Sequence, residues 1–374
     1  MAHHGYVADV SLTLVNRTGA YHVCRDLVEG LPQFFIARRY WRWNLKREPR
    51  GLIRSLFARA MILELENLER FRAWLRPRNC NAPSCGTIFF DPLYVLQARI
   101  RAEDIVLCHD LGPFTHSNLY PANIISLYRE AYEAIKVVGP GMVFVSEATR
   151  DEFVRVFGSR FRFLRVIPLY VRSALTVGDE RAPPVVRGPF LLTVGALDTR
   201  KNHGRVIEAF ARSGLRERGY SYIICGPRGN SAREVETLAR GTPGVIDLKY
   251  VSDAEIRWLY RHATGFVLPS LLEGFGLPAL EAGQHGLVSL VGRHPAQTEA
   301  VGGAAIQVEP TSVKEIADGL LRLVDMTEAE RAERVANARA HAAALTREKF
   351  LQRWATLLAS EMGAMTRPPE VSKA

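Results

Sequence analysis

A chain of 374 residues, 47% hydrophobic and 24% charged, has enough apolar material for two domains with sizeable cores, which excludes a disordered polymer. Lys and Arg outnumber Asp and Glu by 49 to 39, and a net charge of +10 points to an anionic partner: nucleotide phosphate, an anionic membrane surface or nucleic acid. No apolar run approaches the roughly 18 residues of a membrane span, and the N-terminal MAHHGYVADV lacks the basic-then-apolar layout of a signal peptide, so a cytoplasmic location is expected.

In chain order, Val7 to Val15 reads as a strand, broken by Asn16-Arg17-Thr18-Gly19 before a helix from Tyr21 to Glu29. Gln33 to Ala37 is a second short strand. Arg38 to Arg50 is crowded with Arg, Lys, Trp and Tyr, and Arg50 to Leu75 follows as a long helix with Leu52, Ile53, Leu56, Phe57, Ala60 and Leu63 at helical spacing. Basic and aromatic residues ahead of an amphipathic helix suggest either peripheral contact with an anionic membrane over residues 38–59 or a solvated basic face. No nucleic-acid-binding motif accompanies them, so nucleic acid is not expected. Strands at Gly86 to Phe90 and Ile105 to Cys108 come next, the second running into His109-Asp110-Leu111-Gly112-Pro113 at the edge where open α/β sheets place ligands. His109 either serves a site there or satisfies a nearby carbonyl. A helix over Pro121 to Val137, a strand at Met142 to Val145, a helix capped by Ser146 and a strand at Arg165 to Pro168 close the first series.

Residues 177–189, rich in Pro, Gly and charge, read as a linker between a first domain, 1–176, and a second, 190–346. The second repeats the alternation, with strands at Phe190 to Val194, Tyr222 to Cys225, Val245 to Leu248, Gly265 to Leu268, Leu287 to Val291 and Ala305 to Val308, and helices between them. The fold expected is α/β, with two doubly wound domains facing a central cleft. Three helices end the chain, Ser312 to Val324, Thr327 to Ala343 and Arg347 to Met362, before a frayed Met365 to Ala374. The five cysteines, Cys24, Cys80, Cys85, Cys108 and Cys225, lack CxxC pairing and read as reduced thiols.

The most informative stretch is Thr264 to Gly286. A buried strand ends at Pro269-Ser270, the loop Glu273-Gly274-Phe275-Gly276 follows, and Leu277-Pro278 opens a helix whose N-terminus would attract phosphate. Glu273 and Glu281 bracket the unit with seven residues between them. Upstream, Gly195 to Asn202 brings Arg200 and Lys201 to the end of the domain's first strand, where two cations suit a diphosphate. Glu281 suits a pair of ribose hydroxyls. Gly274-x-Gly276-x-x-Ala279 also satisfies the dinucleotide fingerprint, with Glu299 about 20 residues on, but that fingerprint belongs in the first strand-to-helix turn of a unit, and several strands precede this one.

TVGALDTRKN, Cys225-Gly226-Pro227, Tyr250-Val251-Ser252-Asp253 and PSLLEGFGLPALEAG, in that order, resemble the retaining glycosyltransferases of family 4, which have the GT-B fold. The likeness is dense over Pro189 to Pro310. Leu107 to Leu111 and Val143 to Thr149 resemble the family's acceptor-domain signatures. The resemblance implies that Lys201 and Arg200 hold the donor diphosphate, that Gly195 lies beside it, and that Glu273 sits against the transferred sugar. It further implies that the Phe275-Gly276-Leu277 backbone cradles sugar and phosphate, that Val251 lies beside the base, and that Glu281 binds the ribose. His109 would face the reacting sugar, and Gly19 and Asp110 would lie on the acceptor side. The terminal segment 347–374 would join the first domain. Ala196 stands where some members carry an arginine, Pro168-Leu169-Tyr170 replaces an Asn-Gly common at the hinge, and Thr18 to His22 matches the family's glycine-rich acceptor loop only in part.

The expected activity is hexosyl transfer from a nucleoside-diphosphate sugar to a glycan or polyprenyl-diphosphate-linked acceptor, without metal or other cofactor. The Gly195 to Asn202 motif looks most like that of bacterial polysaccharide and O-antigen mannosyltransferases, so GDP-mannose leads among donors. A sugar phosphorylase on the same fold, a dinucleotide oxidoreductase and a non-catalytic sugar- or nucleotide-binding module are the alternatives.

Overall fold

A computed structural model describes residues 5–15, 19–67, 86–172, 175 and 177–366. Cys80, Cys85, the segment 68–75 and Thr18 lie outside the described residues, as does most of the terminal segment 365–374. The chain forms two compact units: residues 1–167 with 350–374, and residues 168–349.

The first unit is built on a seven-stranded sheet in the order β3-β2-β1-β4-β5-β6-β7, where β1 is Tyr6–Asp9, β2 Phe35–Tyr40, β3 Trp43–Asn44, β4 Thr87–Phe89, β5 Ile105–Cys108, β6 Gly141–Phe144 and β7 Phe163–Val166. All neighbours are parallel except β2 and β3, which form an antiparallel hairpin. The strand expected over Val7 to Val15 stops at Asp9 and gives way to a 3-10 turn, Ser11–Leu14. Local hydrogen bonds compete with the ladder: Asp9 Oδ1 accepts from the Ser11 amide and the Thr13 hydroxyl donates to the Val10 carbonyl. The helices of this unit are α1 (Gly19–Gly30), α2 (Gly51–Glu66), α3 (Ala122–Val138) and α4 (Glu147–Phe157). Ser146 caps α4 through the Thr149 amide, as its position predicts.

Within the crowded tract Arg38 to Arg50, residues 39–42 are engaged with the rest of the fold, while Lys46, Arg47 and Arg50 are exposed. Arg39 pairs with buried Asp9 at 2.9 Å, and Tyr40 is buried. Trp41, at the hairpin turn with a φ of 57°, donates its indole N–H to Glu64 at 2.5 Å. Arg42 grips the same carboxylate through two bonds of 2.9 Å. Glu64 is the buried residue of α2 that staples the hairpin to the helix.

The second unit has a wholly parallel six-stranded sheet, β10-β9-β8-β11-β12-β13. Its strands are β8 (Phe190–Val194), β9 (Ser221–Cys225), β10 (Val245–Lys249), β11 (Gly265–Leu268), β12 (Ser289–Gly292) and β13 (Ile306–Val308). Numbered from its own first strand this is the 3-2-1-4-5-6 order of a doubly wound dinucleotide-type fold, whose direction reverses between β8 and β11. Continuous apolar runs suit strands covered on both faces, and alternate residues serve opposite cores. Leu191 and Val267 join Val206, Phe210 and Leu320 on one side. Phe190, Leu192, Phe266 and Leu268 join Leu259, Tyr260 and Ala282 on the other.

The helices are α5 (His203–Arg212), α6 (Ala232–Gly241), α7 (Asp253–His262), α8 (Leu277–Gln284), α9 (Pro295–Val301), α10 (Val313–Asp325) and α11 (Glu328–Ala344). Ser252 and Glu255 form a capping box on α7, while Ser312 and Thr327 cap α10 and α11.

Residues 177–189, expected as a free linker, belong with the second unit, whose boundary falls at Pro168 rather than after residue 176. Arg257 donates two bonds to the Asp179 carbonyl, Arg261 pairs with Glu180, and Val186 enters the core. The last helix, α12 (Arg347–Thr366), contributes Phe350, Trp354 and Leu358 as buried residues, and its Glu361 pairs with Arg162 of the first unit's body.

Removing the Glu64 carboxylate leaves Trp41 and Arg42 without their shared acceptor. Glu64→Ala is expected to cost about 2 kcal/mol of stability, whereas Leu52→Ser on the exposed side of the same helix should stay within about 0.5 kcal/mol. Urea unfolding of the two variants against wild type checks the contrast.

Candidate active site

The loops after β8 and β11 meet at the point where the strand order of the second unit reverses, and backbone and side-chain bonds stitch them together. Leu271 N–H donates to the Arg200 carbonyl at 2.8 Å. Asn202, in a left-handed conformation, sends its side-chain amide to the Pro269 carbonyl at 2.9 Å and the Pro310 carbonyl at 2.6 Å. The intervening residues Thr199–Lys201 form a 3-10 turn, which places Arg200 and Lys201 over the second loop.

Both cations converge on Glu273. Lys201 Nζ lies 2.5 Å from Oε1 and Arg200 NH1 3.2 Å from Oε2. The Ser270 hydroxyl donates to Oε1 at 2.7 Å. Glu273 and Lys201 are almost wholly buried, and Arg200 is 30% exposed. Burial alone would raise the Glu273 pKa, but Lys201, Arg200 and the hydrogen bonds from Lys201 and Ser270 outweigh it and hold the carboxyl at about 2. Burial acts on Lys201 in the other direction and lowers its pKa, against the pull of Glu273. His203, buried with Nε2 3.0 Å from the Ala196 carbonyl, is lowered to about 4 by burial, so no further cation arises there at neutral pH.

Backbone groups at the start of α8 lie on the same glycine loop. Gly276 precedes α8 with a φ of 112°, and no side chain caps the helix, so its first N–H groups and dipole face outward from the loop. Phe275 is buried and Leu277 half-buried. Gln297 secures the base of the loop: its amide donates to the Leu268 carbonyl at 2.7 Å and its oxygen accepts from the Gly292 amide at 3.1 Å. Gly195 follows β8 beside Lys201, where a Cβ would meet the lysine Cε at 3.7 Å, an ordinary van der Waals contact.

Glu281 lies within α8, buried, and is gripped by Arg172 at 2.6 and 3.3 Å and by the Tyr260 hydroxyl at 3.2 Å. Val251, half-buried just after β10, packs against the core on the Tyr260 side of the sheet.

The second unit therefore brings together Gly195, Arg200, Lys201, Glu273, Phe275, Gly276 and Leu277. His109, Asp110 and Gly19 belong to the first unit. His109 is half-buried with Nε2 2.9 Å from the Phe90 carbonyl, so its ring satisfies a backbone group. Asp110 accepts from the Gly112 amide at 2.9 Å in a local turn and receives the Tyr120 hydroxyl at 3.5 Å. Gly19 is the first residue of α1. Ser270, Arg172, Tyr260 and Gln297 escape the sequence reading. Ser270 adjoins the glycine loop and was within reach of pattern reading, but Arg172 and Tyr260 meet Glu281 only through the path of the folded chain.

Comparison with known proteins bears on the same region. Residues 180–341 match the family described as Glycosyl transferases group 1. The matched segment lies wholly within the second unit. The chain is 27% identical over 252 residues to the O-antigen chain mannosyltransferase B of Escherichia coli, covering 63% of this chain and 64% of that protein. It is 28% identical over 190 residues to the MMP alpha-(1->4)-mannosyltransferase of Mycolicibacterium hassiacum, covering 50% and 46%. The matches thus span less than two thirds of either relative. HepE of Anabaena, solved with UDP and glucose, superposes with a TM-score of 0.70 at 15% identity over 96% of this chain and 99% of that one, a likeness of fold. The fold is GT-B, with the segment that matches the family lying in its second α/β unit.

The depressed Glu273 pKa fixes a pH window. The carboxylate's contribution to stability is complete above the ordinary value of 4.5 and is lost as pH falls toward 2. In urea titrations from pH 4.5 to 2, Glu273→Gln should flatten the fall of unfolding free energy by about 3 kcal/mol relative to wild type. An unchanged slope would show that Glu273 is not held by the two cations.

Proposed function

We propose that the protein transfers a hexose, with retention of anomeric configuration, from a nucleoside-diphosphate sugar to a hydroxyl of a glycan or lipid-linked sugar. The observation that carries this reading is the buried Lys201–Glu273–Arg200 cluster at the strand-order reversal, beside the uncapped N-terminus of α8. A diphosphate is the ligand whose charge and shape fit two converging cations and a helix N-terminus together.

Lys201 and Arg200 turn from Glu273 toward the diphosphate and neutralise the charge that grows as the bond from sugar C1 to the phosphate oxygen breaks. The acceptor oxygen bonds to C1 on the face the diphosphate leaves, and its proton passes to a phosphate oxygen. Glu273 then lies against the sugar hydroxyls, held in register by Ser270. Glu281 takes the ribose hydroxyls and Val251 lies beside the base. His109, its ring fixed by the Phe90 carbonyl, serves the reacting sugar, and Gly19 and Asp110 serve the acceptor.

The two cations do the work a divalent ion does elsewhere, so transfer proceeds without metal. GDP-mannose is the donor favoured by the Gly195 to Asn202 motif, and the mannosyltransferase relatives support it. Assembly of a bacterial surface polysaccharide is the setting that agrees with the O-antigen relative.

Lys201→Ala and Glu273→Ala should each lower turnover by about 100-fold or more, with native far-UV circular dichroism, and excess chelator should leave wild-type turnover unchanged. Glu281→Ala should raise the donor dissociation constant more than it lowers turnover. Full activity in both cluster variants would overturn the assignment.

A further inference from the structure

Helix α2 (Gly51–Glu66) presents an apolar face that the described part of its own unit leaves uncovered. Met61, Glu64 and Leu65 are buried and define the inner side. On the outer side Leu52 is 84% exposed, Leu56 64%, Leu63 57%, Ile53 60% and Ile62 41%. Leu52, Leu56, Arg59 and Leu63 follow the i, i+4, i+7, i+11 spacing and share one narrow stripe of the helix. Five large aliphatic side chains exposed on one helix exceed the scattered apolar residues of an ordinary surface.

The flanks of this stripe are cationic. Lys46, Arg47 and Arg50 are exposed ahead of the helix and Arg59 within it. Of the nearby carboxylates, Glu64 is buried on Arg42 and Glu48 accepts from the Tyr21 hydroxyl, which leaves Glu66 as the exposed one. Trp41, Arg39 and Arg42, which the sequence places in the same basic-aromatic tract, are engaged inside the fold.

From this juxtaposition we infer that the outer face of α2 lies in the surface of an anionic lipid bilayer, with Leu52, Leu56 and Leu63 among the acyl chains and Lys46, Arg47, Arg50 and Arg59 at the headgroups. A helix of 16 residues is too short to cross a bilayer, and no helix among the described residues is long and apolar enough to do so, which fits a helix lying in the interface. Charge selects the lipid over a second copy of the chain. Two such faces would bring like-charged Arg and Lys flanks together, in a protein with a net charge of +10, whereas anionic headgroups satisfy the cations while the acyl region takes the aliphatic stripe. The inference does not rest on the transfer reaction.

Co-sedimentation of the full chain with vesicles of phosphatidylcholine alone, or with added phosphatidylglycerol, tests it. Wild type should bind the anionic vesicles about tenfold or more tightly than the neutral ones, and more weakly at high salt. Leu52→Ser/Leu56→Ser/Leu63→Ser and Arg50→Gln/Arg59→Gln should each lose about tenfold or more in binding, with urea midpoints matching wild type to show that the fold survives. Equal sedimentation of the leucine variant and wild type overturns the inference. So does a wild-type dimer in sedimentation velocity that the leucine variant converts to monomer, because a second copy would then be the occupant.

Discussion

Glu273 is a carboxylate buried almost completely away from solvent, and the loops around it are arranged to solve that problem. Taking a carboxylate and an ammonium out of water costs several kcal/mol each, and their attraction does little more than offset the loss. A buried pair of this kind adds little stability that apolar packing could not supply. On the proposed reaction, its presence is accounted for by what the two cations do when the more highly charged diphosphate arrives. The pairing with Glu273 holds Lys201 and Arg200 in place.

The sheet order explains why the cluster sits where it does. With β8 and β11 adjacent at the reversal, the loops that follow them diverge to opposite faces and leave a crevice between. Asn202 and the Leu271-to-Arg200 backbone bond tie the two loops across that crevice. Gln297 anchors the second loop to the ends of β11 and β12. The glycines are then needed for approach rather than for flexibility: at Gly226 a Cβ would lie 1.9 Å from the Gly195 carbonyl oxygen, so the β8 loop could not pass.

Much of this was readable in the residues. Apolar runs bounded by Gly and Pro place the strands of the second unit to within two residues, and Ser146, Ser252, Ser312 and Thr327 mark helix starts because a short hydroxyl side chain ahead of a free amide leaves a local signature. Spacing and fold class together bring Glu273, Lys201 and Arg200 to one edge of the sheet, whereas their pairing with one another emerges only in the folded structure. Long-range contacts left no such trace. Nothing near Arg172 announces that it grips Glu281, and nothing in Arg38 to Arg50 distinguishes an arginine that pairs with Asp9 or Glu64 from one that faces solvent. The early end of β1 is a third case, where Asp9 and Thr13 draw the backbone into a turn that apolar patterning does not register.

The central claim is that a nucleoside diphosphate binds where these loops meet, with its ribose on Glu281. The most direct measurement is a thermal-shift panel of GDP, UDP, dTDP, ADP and NAD on wild type and Glu281→Ala, with and without magnesium. A ligand at 100 times its dissociation constant adds about 2.7 kcal/mol of stability, well within detection. A selective shift by one nucleoside diphosphate, independent of magnesium and weakened in the variant, is the predicted result. A shift by NAD alone, or none by any nucleotide, would contradict the account.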